Sequence, residues 1–354
     1  MERRIDVGVL GATGMVGQQF VLQLANHPWF RLSWVGASER SAGQRYGDAA
    51  PWRLPVTPPR EIADLIVENA APGNAPELVF SAMDASVAGE IEQAFAKAGH
   101  LVVSNSRNHR LDADVPLLIP EVNADHLALI EAQRRQRGWS GAIITNPNCS
   151  TVVLSLALAP LKPFGLTSVV VTTLQALSGA GYPGVPSLDA VANVIPYIDG
   201  EEAKIESETK KILGSLAGGT VQPHPVVVSA QTTRVPVVNG HTESISVALA
   251  SKPSIDEVRQ ALVSFSGPPQ KHGLPSAPAQ PVVYLSEPNR PQPRLDVDRD
   301  GGMTVSVGRL RPCPVLGYKF VALGHNTVRG AAGAAVLNAE LMVAEGVLST
   351  VARR

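Results

Sequence analysis

The chain has 354 residues, a formal net charge of -1 and a pI of about 6.7. That length exceeds the usual size of one domain, so two domains are expected, and the lack of a basic tail or Lys/Arg block argues against a nucleic-acid partner. Two cysteines, Cys149 and Cys313, stand far apart with no metal-ligand spacing, which excludes a disulfide-stapled secreted scaffold and predicts no metal site.

The N-terminal run MERRIDVGVLGATG enters a strand-like segment with no signal-peptide core before it. The longest apolar run, TVVLSLALAPL, is too short to span a bilayer, so a soluble cytoplasmic protein with no membrane attachment is expected. RIDVGVLGA reads as a strand, MVGQQFVLQLANH as a helix and RLSWVGAS as a second strand; PELVFSAM, HLVVSNS and GAIITNP continue the series. Strands alternating with helices predict parallel βαβ units and an α/β fold with a Rossmann-type, doubly wound sheet over residues 1–148.

The first strand-to-helix turn is Gly11-Ala12-Thr13-Gly14-Met15-Val16-Gly17, a G-x-x-G-x-x-G variant of the dinucleotide fingerprint. Small residues let the backbone approach a pyrophosphate, whose charge rests on the N–H groups at the helix start. The second strand ends Gly36-Ala37-Ser38-Glu39-Arg40-Ser41 and lacks the terminal acid that holds a free ribose 2′-hydroxyl. Ser38, Arg40 and Ser41 are placed to hold a 2′-phosphate, which favours NADP over NAD; the alternative is a solvated loop with Glu39 and Arg40 paired.

After GAIITNP the chain changes character. If STVVLSLALAPL is a helix, Cys149 lies at its N-terminus, where unpaired N–H groups and the helix dipole lower a thiol's pKa and supply oxyanion donors, with Asn148 as a side-chain donor. TSVVVTTLQAL, HPVVVSAQTTRVPVV, TESISVALA and MTVSVGRLR are strand-like, predicting a mixed α+β domain with an open sheet over residues 149–326. SGPPQKHGLPSAPAQP and SEPNRPQPRL read as surface loops of that domain. TVRGAAGAAVLNAELMVAEGVLS reads as a helix that returns to the first domain, drawn over residues 327–354. The candidate partner for the thiol is His241, between RVPVVNG and a strand; His224, His272 and His325 lack that setting.

The motifs GATGMVGQQF, VGASERSAG, SNSRNHR with DVPLLIPEVN, NPNCST, LQALSGAGYPG, IDGEEAKIESETKKILG, RVPVVNGHTES and GHNTVRGAAGAA run from residue 8 to 335. In that order they resemble the archaeal and fungal branch of the aspartate-semialdehyde dehydrogenases. The resemblance implies reversible, NADP-dependent conversion of L-aspartyl 4-phosphate to L-aspartate 4-semialdehyde and phosphate, the branch point toward lysine, threonine, methionine and isoleucine. It implies Cys149 as nucleophile, forming a thioester that accepts hydride, and His241 as the acid-base group. Arg234 would clamp the α-carboxylate; Glu201, with Glu202 an indistinguishable neighbour, would hold the ammonium. Lys204 and Arg110 would hold the phosphate, with Arg107 competing for Arg110's place, and Gln175 would orient substrate. Ser178, Gly179 and Asn326 would contact the cofactor beside the Gly11, Thr13, Gly14, Met15 and Val16 turn. A hinged closure over substrate and a homodimer or homotetramer built through the second domain's sheet are also implied.

Three rivals stand beside this reading. A malonyl- or succinyl-CoA reductase would keep Cys149 and His241 but leave Glu201 without an ammonium to hold. Glyceraldehyde-3-phosphate dehydrogenase normally carries S-C-T-T-N, which NPNCST is not. A non-catalytic NADP-binding sensor predicts nothing about Cys149, His241, Arg234 and Glu201 occurring together.

Overall fold

The computed structural model describes residues 4–348. The apolar run at the N-terminus forms β1 (Ile5–Leu10), followed by α1 (Met15–Leu24), β2 (Phe30–Ala37), β3 (Val67–Asn69), β4 (Leu78–Ser81), α2 (Ala85–Lys97), β5 (Leu101–Ser104), α3 (Leu129–Arg137) and β6 (Ala142–Thr145). β4, β5 and β6 are buried at every position, the pattern of strands covered on both faces. All six strands are parallel, in the order β3-β2-β1-β4-β5-β6. This is the doubly wound order, with its switch point between β1 and β4, where a crevice opens beyond the carboxyl ends of the strands.

From β6 the chain passes through Asn146-Pro147-Asn148 into α4 (Cys149–Leu158), then β7 (Leu166–Gln175), α5 (Glu201–Ile212) and the short hairpin β8 (Ser215–Ala217) and β9 (Thr220–Gln222). β10 (Val227–Arg234), β11 (His241–Leu249), α6 (Ile255–Val263), β12 (Val282–Leu285), β13 (Val305–Cys313) and β14 (Gly317–Gly324) follow. The second six-stranded sheet runs β10-β7-β11-β14-β13-β12, with parallel pairs at its two edges and antiparallel pairs between. Its strands alternate. In β7, Val169, Val171 and Thr173 are buried while Val170 and Leu174 are exposed. One face therefore packs on α4 and α5 and the other is open. His241 begins β11 on the packed face, followed there by Glu243, Ile245 and Val247. β12 and β14 are strands that the sequence patterns did not reveal.

The single helix expected over 327–354 is corrected. Val328–Ala332 is a π-helical turn, α7 covers Gly333–Ala344, and the chain leaves the helix at Glu345 with Gly346 at φ +72°. Residues 349–354 lie outside the described residues. α7 does return to the first sheet: Val336, Leu337 and Leu341 share a core with Val7, Val9, Phe20 and Phe80. A second core joins α4, through Val152, Leu154 and Leu156, to Val171, Ile245 and Val247. Cys149 starts the helix between the two sheets. Among the described residues no helix is long and apolar enough to cross a membrane.

Candidate active site

The Asn-Pro-Asn turn is built to stop one strand and start one helix. Asn148 is extended at ψ 145°, and its Oδ1 accepts from the N–H groups of Ser150 at 2.9 Å and Thr151 at 3.2 Å, an N-cap that leaves Cys149 as the first helical residue. Asn146 fixes the turn from the other side, its Nδ2 donating to Asn105 Oδ1 at 2.7 Å and to the Ala331 carbonyl at 2.9 Å.

His241 Nε2 lies 3.1 Å from Cys149 Sγ. Its Nδ1 accepts from the Ala176 N–H at 3.1 Å, so the proton of the neutral imidazole is on Nε2, directed at sulfur. Burial, helped by Arg234 and His325, pushes the His241 pKa down to about 3. Burial pushes the Cys149 thiol up to about 12, the Glu201 carboxylate adding to the rise against Arg110, Arg234 and the Ser150 N–H. This corrects the expectation that the helix start holds a thiolate. In the unliganded protein desolvation outweighs the helix terminus, and the resting pair is a thiol beside a neutral imidazole. It also corrects the expectation of His241 as an acid-base group toward the thiol, because a backbone donor occupies Nδ1 and the ring's own proton occupies Nε2.

α5 brings charge to the cysteine turn and to Arg110 along one face. Glu201 Oε1 accepts from Asn148 Nδ2 at 2.6 Å and Glu201 Oε2 from Lys204 Nζ at 2.9 Å. Glu202 turns away, accepting from the Thr232 N–H of β10 at 3.0 Å, so it is Glu201 that reaches the cysteine turn. Two turns further along, Glu208 accepts from Arg110 Nη1 at 3.0 Å and from the Asn148 N–H at 2.6 Å. Lys211 Nζ donates to the carbonyls of Arg110, Asp112 and Val115, holding the loop that carries Arg110. Arg110 is buried and lines the cleft, whereas Arg107 is exposed. The amide of Asn148 is engaged at Oδ1 by the helix and at Nδ2 by Glu201, so its first duty here is structural rather than that of a free oxyanion donor.

Arg234 closes β10, and its Nη1 donates to the Ala176 carbonyl at 2.7 Å. Ala176 thus touches both Arg234 and His241 through its backbone. Gly179 packs over the same pair: a Cβ there would lie 2.9 Å from Arg234 Nη1 and 3.0 Å from His241 Cε1. Gln175 is buried, with Nε2 donating to Thr173 Oγ1 at 3.3 Å. Asn326 joins loop to loop, donating from Nδ2 to Ser178 Oγ at 2.8 Å and accepting the Gly240 N–H at 2.9 Å.

A cleft of about 690 Å³ runs from the start of α1 to the cysteine, lined by Met15, Val16, Arg110, Cys149, Gly179 and Asn326 among others. That volume is within the range of small-molecule sites. Gly11 has φ +71°, and a Cβ on it would lie 2.7 Å from the Ala82 carbonyl oxygen; one on Gly17 would lie 2.2 Å from the Gly11 carbonyl oxygen. Gly14 caps α1 with no side chain in the way. Thr13 contributes its carbonyl, which accepts from Gln18 Nε2 at 3.0 Å. Ser38, Arg40 and Ser41 lie beyond the end of β2, outside this cleft, and among the described residues Glu39 and Arg40 form no ion pair.

The chain matches the family description "Semialdehyde dehydrogenase, NAD binding domain" over residues 6–130 and "Semialdehyde dehydrogenase, dimerisation domain" over residues 158–329. It is 49% identical to the aspartate-semialdehyde dehydrogenase of Archaeoglobus fulgidus, over 98% of this chain and 100% of the relative. It is 50% identical to that of Cryptococcus neoformans, over 98% of each. This chain belongs to the aspartate-semialdehyde dehydrogenase family. The crystal structure of aspartate semialdehyde dehydrogenase with NADP from Candida albicans matches with a TM-score of 0.90 at 44% identity, covering 98% of this chain and 100% of that one. The fold of the described residues is therefore that of the semialdehyde dehydrogenases.

Several residues of this family member's site escape sequence reasoning. Glu208 had a signal, since seven residues from Glu201 is two helical turns on the same face. Ala176 had none, because it acts through its backbone. Gly330, in the π turn, lies against Cys149: a Cβ there would fall 2.6 Å from Cys149 Cβ. Glu243 is fully buried two residues after His241, both carboxyl oxygens lack a partner among the described residues, and burial pushes its pKa well up.

Proposed function

We propose that the chain interconverts L-aspartyl 4-phosphate and L-aspartate 4-semialdehyde plus phosphate, with NADP as cofactor, through a thioester on Cys149. The observation that carries this reading is the 3.1 Å contact of Cys149 Sγ with His241 Nε2 at a helix N-terminus, beside both Arg110 and Glu201. Arg234 is the α-carboxylate clamp, Glu201 the ammonium site, and Arg110 with Lys204 the phosphate site. Gln175 orients the substrate. In this role the enzyme stands at the entry to lysine, threonine and methionine synthesis.

Acylation balances without a permanent base at sulfur. The thiol attacks the acyl carbon, the C–O bond to phosphate breaks, and the thiol proton leaves on the phosphate as hydrogenphosphate. His241, with its proton on Nε2, donates a hydrogen bond to sulfur and then to the oxygen of the tetrahedral adduct. Of the N–H groups at the start of α4, those of Ser150 and Thr151 are engaged by Asn148 Oδ1, and that of Ser150 also lies close to the sulfur. Gly11 and Gly17 stand where a Cβ would meet backbone, and Gly14 leaves the start of α1 uncovered, a tight turn that suits a pyrophosphate. Met15, Val16, Ser178, Gly179 and Asn326 would hold the remainder of NADP, with Ser38, Arg40 and Ser41 on its 2′-phosphate. When bound, NADPH would supply the hydride that the thioester accepts; the C–S bond then breaks as the aldehyde forms, and the Cys149 sulfur takes a proton from solvent to return to the thiol.

Residues 1–148 with α7 would serve the cofactor and residues 149–326 catalysis and self-association. The open face of the second sheet, with Val170 and Leu174 exposed, suits a homodimer or homotetramer. The test is reduced-nicotinamide absorbance with L-aspartate 4-semialdehyde, NADP and phosphate, run beside malonyl-CoA with NADPH. Phosphate-dependent reduction of NADP supports the reading. Turnover of malonyl-CoA alone would replace the substrate, and silence in both would leave only a nucleotide-binding protein.

A further inference from the structure

Behind the cleft-lining Arg110 stands a carboxylate that the reaction itself does not call for. Glu208 is 2% exposed on α5, and its two oxygens serve two different groups. Oε1 accepts from Arg110 Nη1 at 3.0 Å, and Oε2 accepts from the N–H of Asn148, the residue before the nucleophile, at 2.6 Å. Arg110 is held on its other side by the Asn105 carbonyl at 2.7 Å from Nη2, while its buried Nε has no partner among the described residues. The guanidinium offered to an anion is thus already paired with an internal carboxylate.

We infer that Glu208 is a positioning residue and the internal counter-charge of the phosphate subsite, set to keep phosphate affinity low enough for release while it holds the cysteine turn. This rests on the reading of Arg110 as a phosphate ligand. Its physical basis is that a fixed carboxylate beside a buried arginine repels the incoming dianion through the same low-dielectric surroundings that make the arginine attractive to it. Binding phosphate as tightly as the site allowed would favour the bound product rather than the transition state, with no gain in turnover. The other bond, to Asn148, means that the carboxylate cannot swing away when phosphate arrives. Arg110 must therefore divide its donors between Glu208 and the ligand.

The experiment measures the KM for inorganic phosphate in the oxidative direction for wild type and E208Q, with the KM for semialdehyde followed in parallel and NADPH binding as a check on folding. Gln is isosteric and retains one acceptor, so the turn is supported while the charge is lost. The expected result is a fall of threefold or more in the phosphate KM, with the semialdehyde KM within twofold. A smaller fall, no change or a rise overturns the inference, since a residue that only braced the turn would lower kcat and leave the phosphate KM where it was. If E208Q does not fold, the same comparison is made with E208D, which shortens the side chain and draws its charge back from Arg110. Threefold tighter phosphate in that variant supports the counter-charge; its absence overturns it. A wild type whose turnover ignores phosphate would instead refute the proposed reaction, a result separable from either variant.

Discussion

Arg329 and Glu121 offer the sharpest test of how the first domain is tied to the nucleophile. The Arg329 Nη2 to Glu121 Oε2 contact is 2.6 Å, and neither side chain has any solvent exposure. It joins the π turn Val328–Ala332 to the short helix Pro120–Asn123 across 208 residues of sequence. Arg329→Met preserves bulk but strands a buried carboxylate whose other oxygen already lacks a partner among the described residues. Removing one member of such a pair costs about 3–5 kcal/mol. Replacing both, as in R329M/E121L, removes the stranded charge and is expected to recover most of that loss. Urea unfolding should therefore show a large drop in midpoint for R329M at unchanged slope, and a midpoint for the double variant much nearer wild type. Because Gly330 abuts Cys149, R329M should also lower turnover. An R329M midpoint equivalent to less than about 1 kcal/mol of destabilisation, or a double variant worse than the single, would refute the reasoning from desolvation.

Further outcomes follow from the site. Cys149→Ala should abolish turnover while NADPH still binds, checked by fluorescence titration; residual catalysis would refute the thioester. His241→Ala should lower kcat by roughly two to three orders of magnitude, as for loss of one oxyanion donor, and in wild type the ring nitrogens of His241, followed by ¹⁵N NMR, should show a proton on Nε2 and no titration between pH 5 and 9. Arg234→Ala should raise the KM for semialdehyde far more than that of an analogue lacking the α-carboxylate; equal effects would remove it from that role. The His241 pKa lies at about 3 in the folded protein against an ordinary 6.5, so its neutral form favours folding above pH 6.5 and that contribution is lost as pH falls from 6.5 toward 3. At full size this is roughly 5 kcal/mol, and H241N should flatten the acid limb of a stability-against-pH curve.

Residues whose signal is local were legible. The Gly11 to Gly17 turn could be read because a strand-to-helix turn without room for Cβ atoms needs glycine at fixed spacing. The parallel first sheet could be read because strands covered on both faces are continuous apolar runs, as in β4 and β6. Cys149 could be placed at a helix start because Asn148 is a capping residue followed by an apolar run. β14, GYKFVALG, was not recognised: Gly and Lys blunt its alternation, and its place between β11 and β13 is set by pairing partners far away in sequence. The C-terminal helix ends sooner than Ala, Leu and Glu suggest because Gly346 takes the left-handed conformation just past it, a local stop signal, whereas the π turn before α7 depends on packing against Cys149 and Glu121.

The sequence by itself determined the first sheet, much of the second, the dinucleotide turn and the placing of Cys149 at a helix start and His241 at a strand start, since each depends on residue types within a few positions of one another. Only the tertiary structure decided the protonation of that pair, because the Ala176 N–H on His241 Nδ1 and the desolvation of Cys149 come from chain segments brought together by folding. It likewise separated Glu201 from Glu202 and Arg110 from Arg107, and it brought Glu208 to the arginine. Those choices depend on which face of α5 meets the cysteine turn, and a helix face acquires its neighbours only when the second sheet is packed against it.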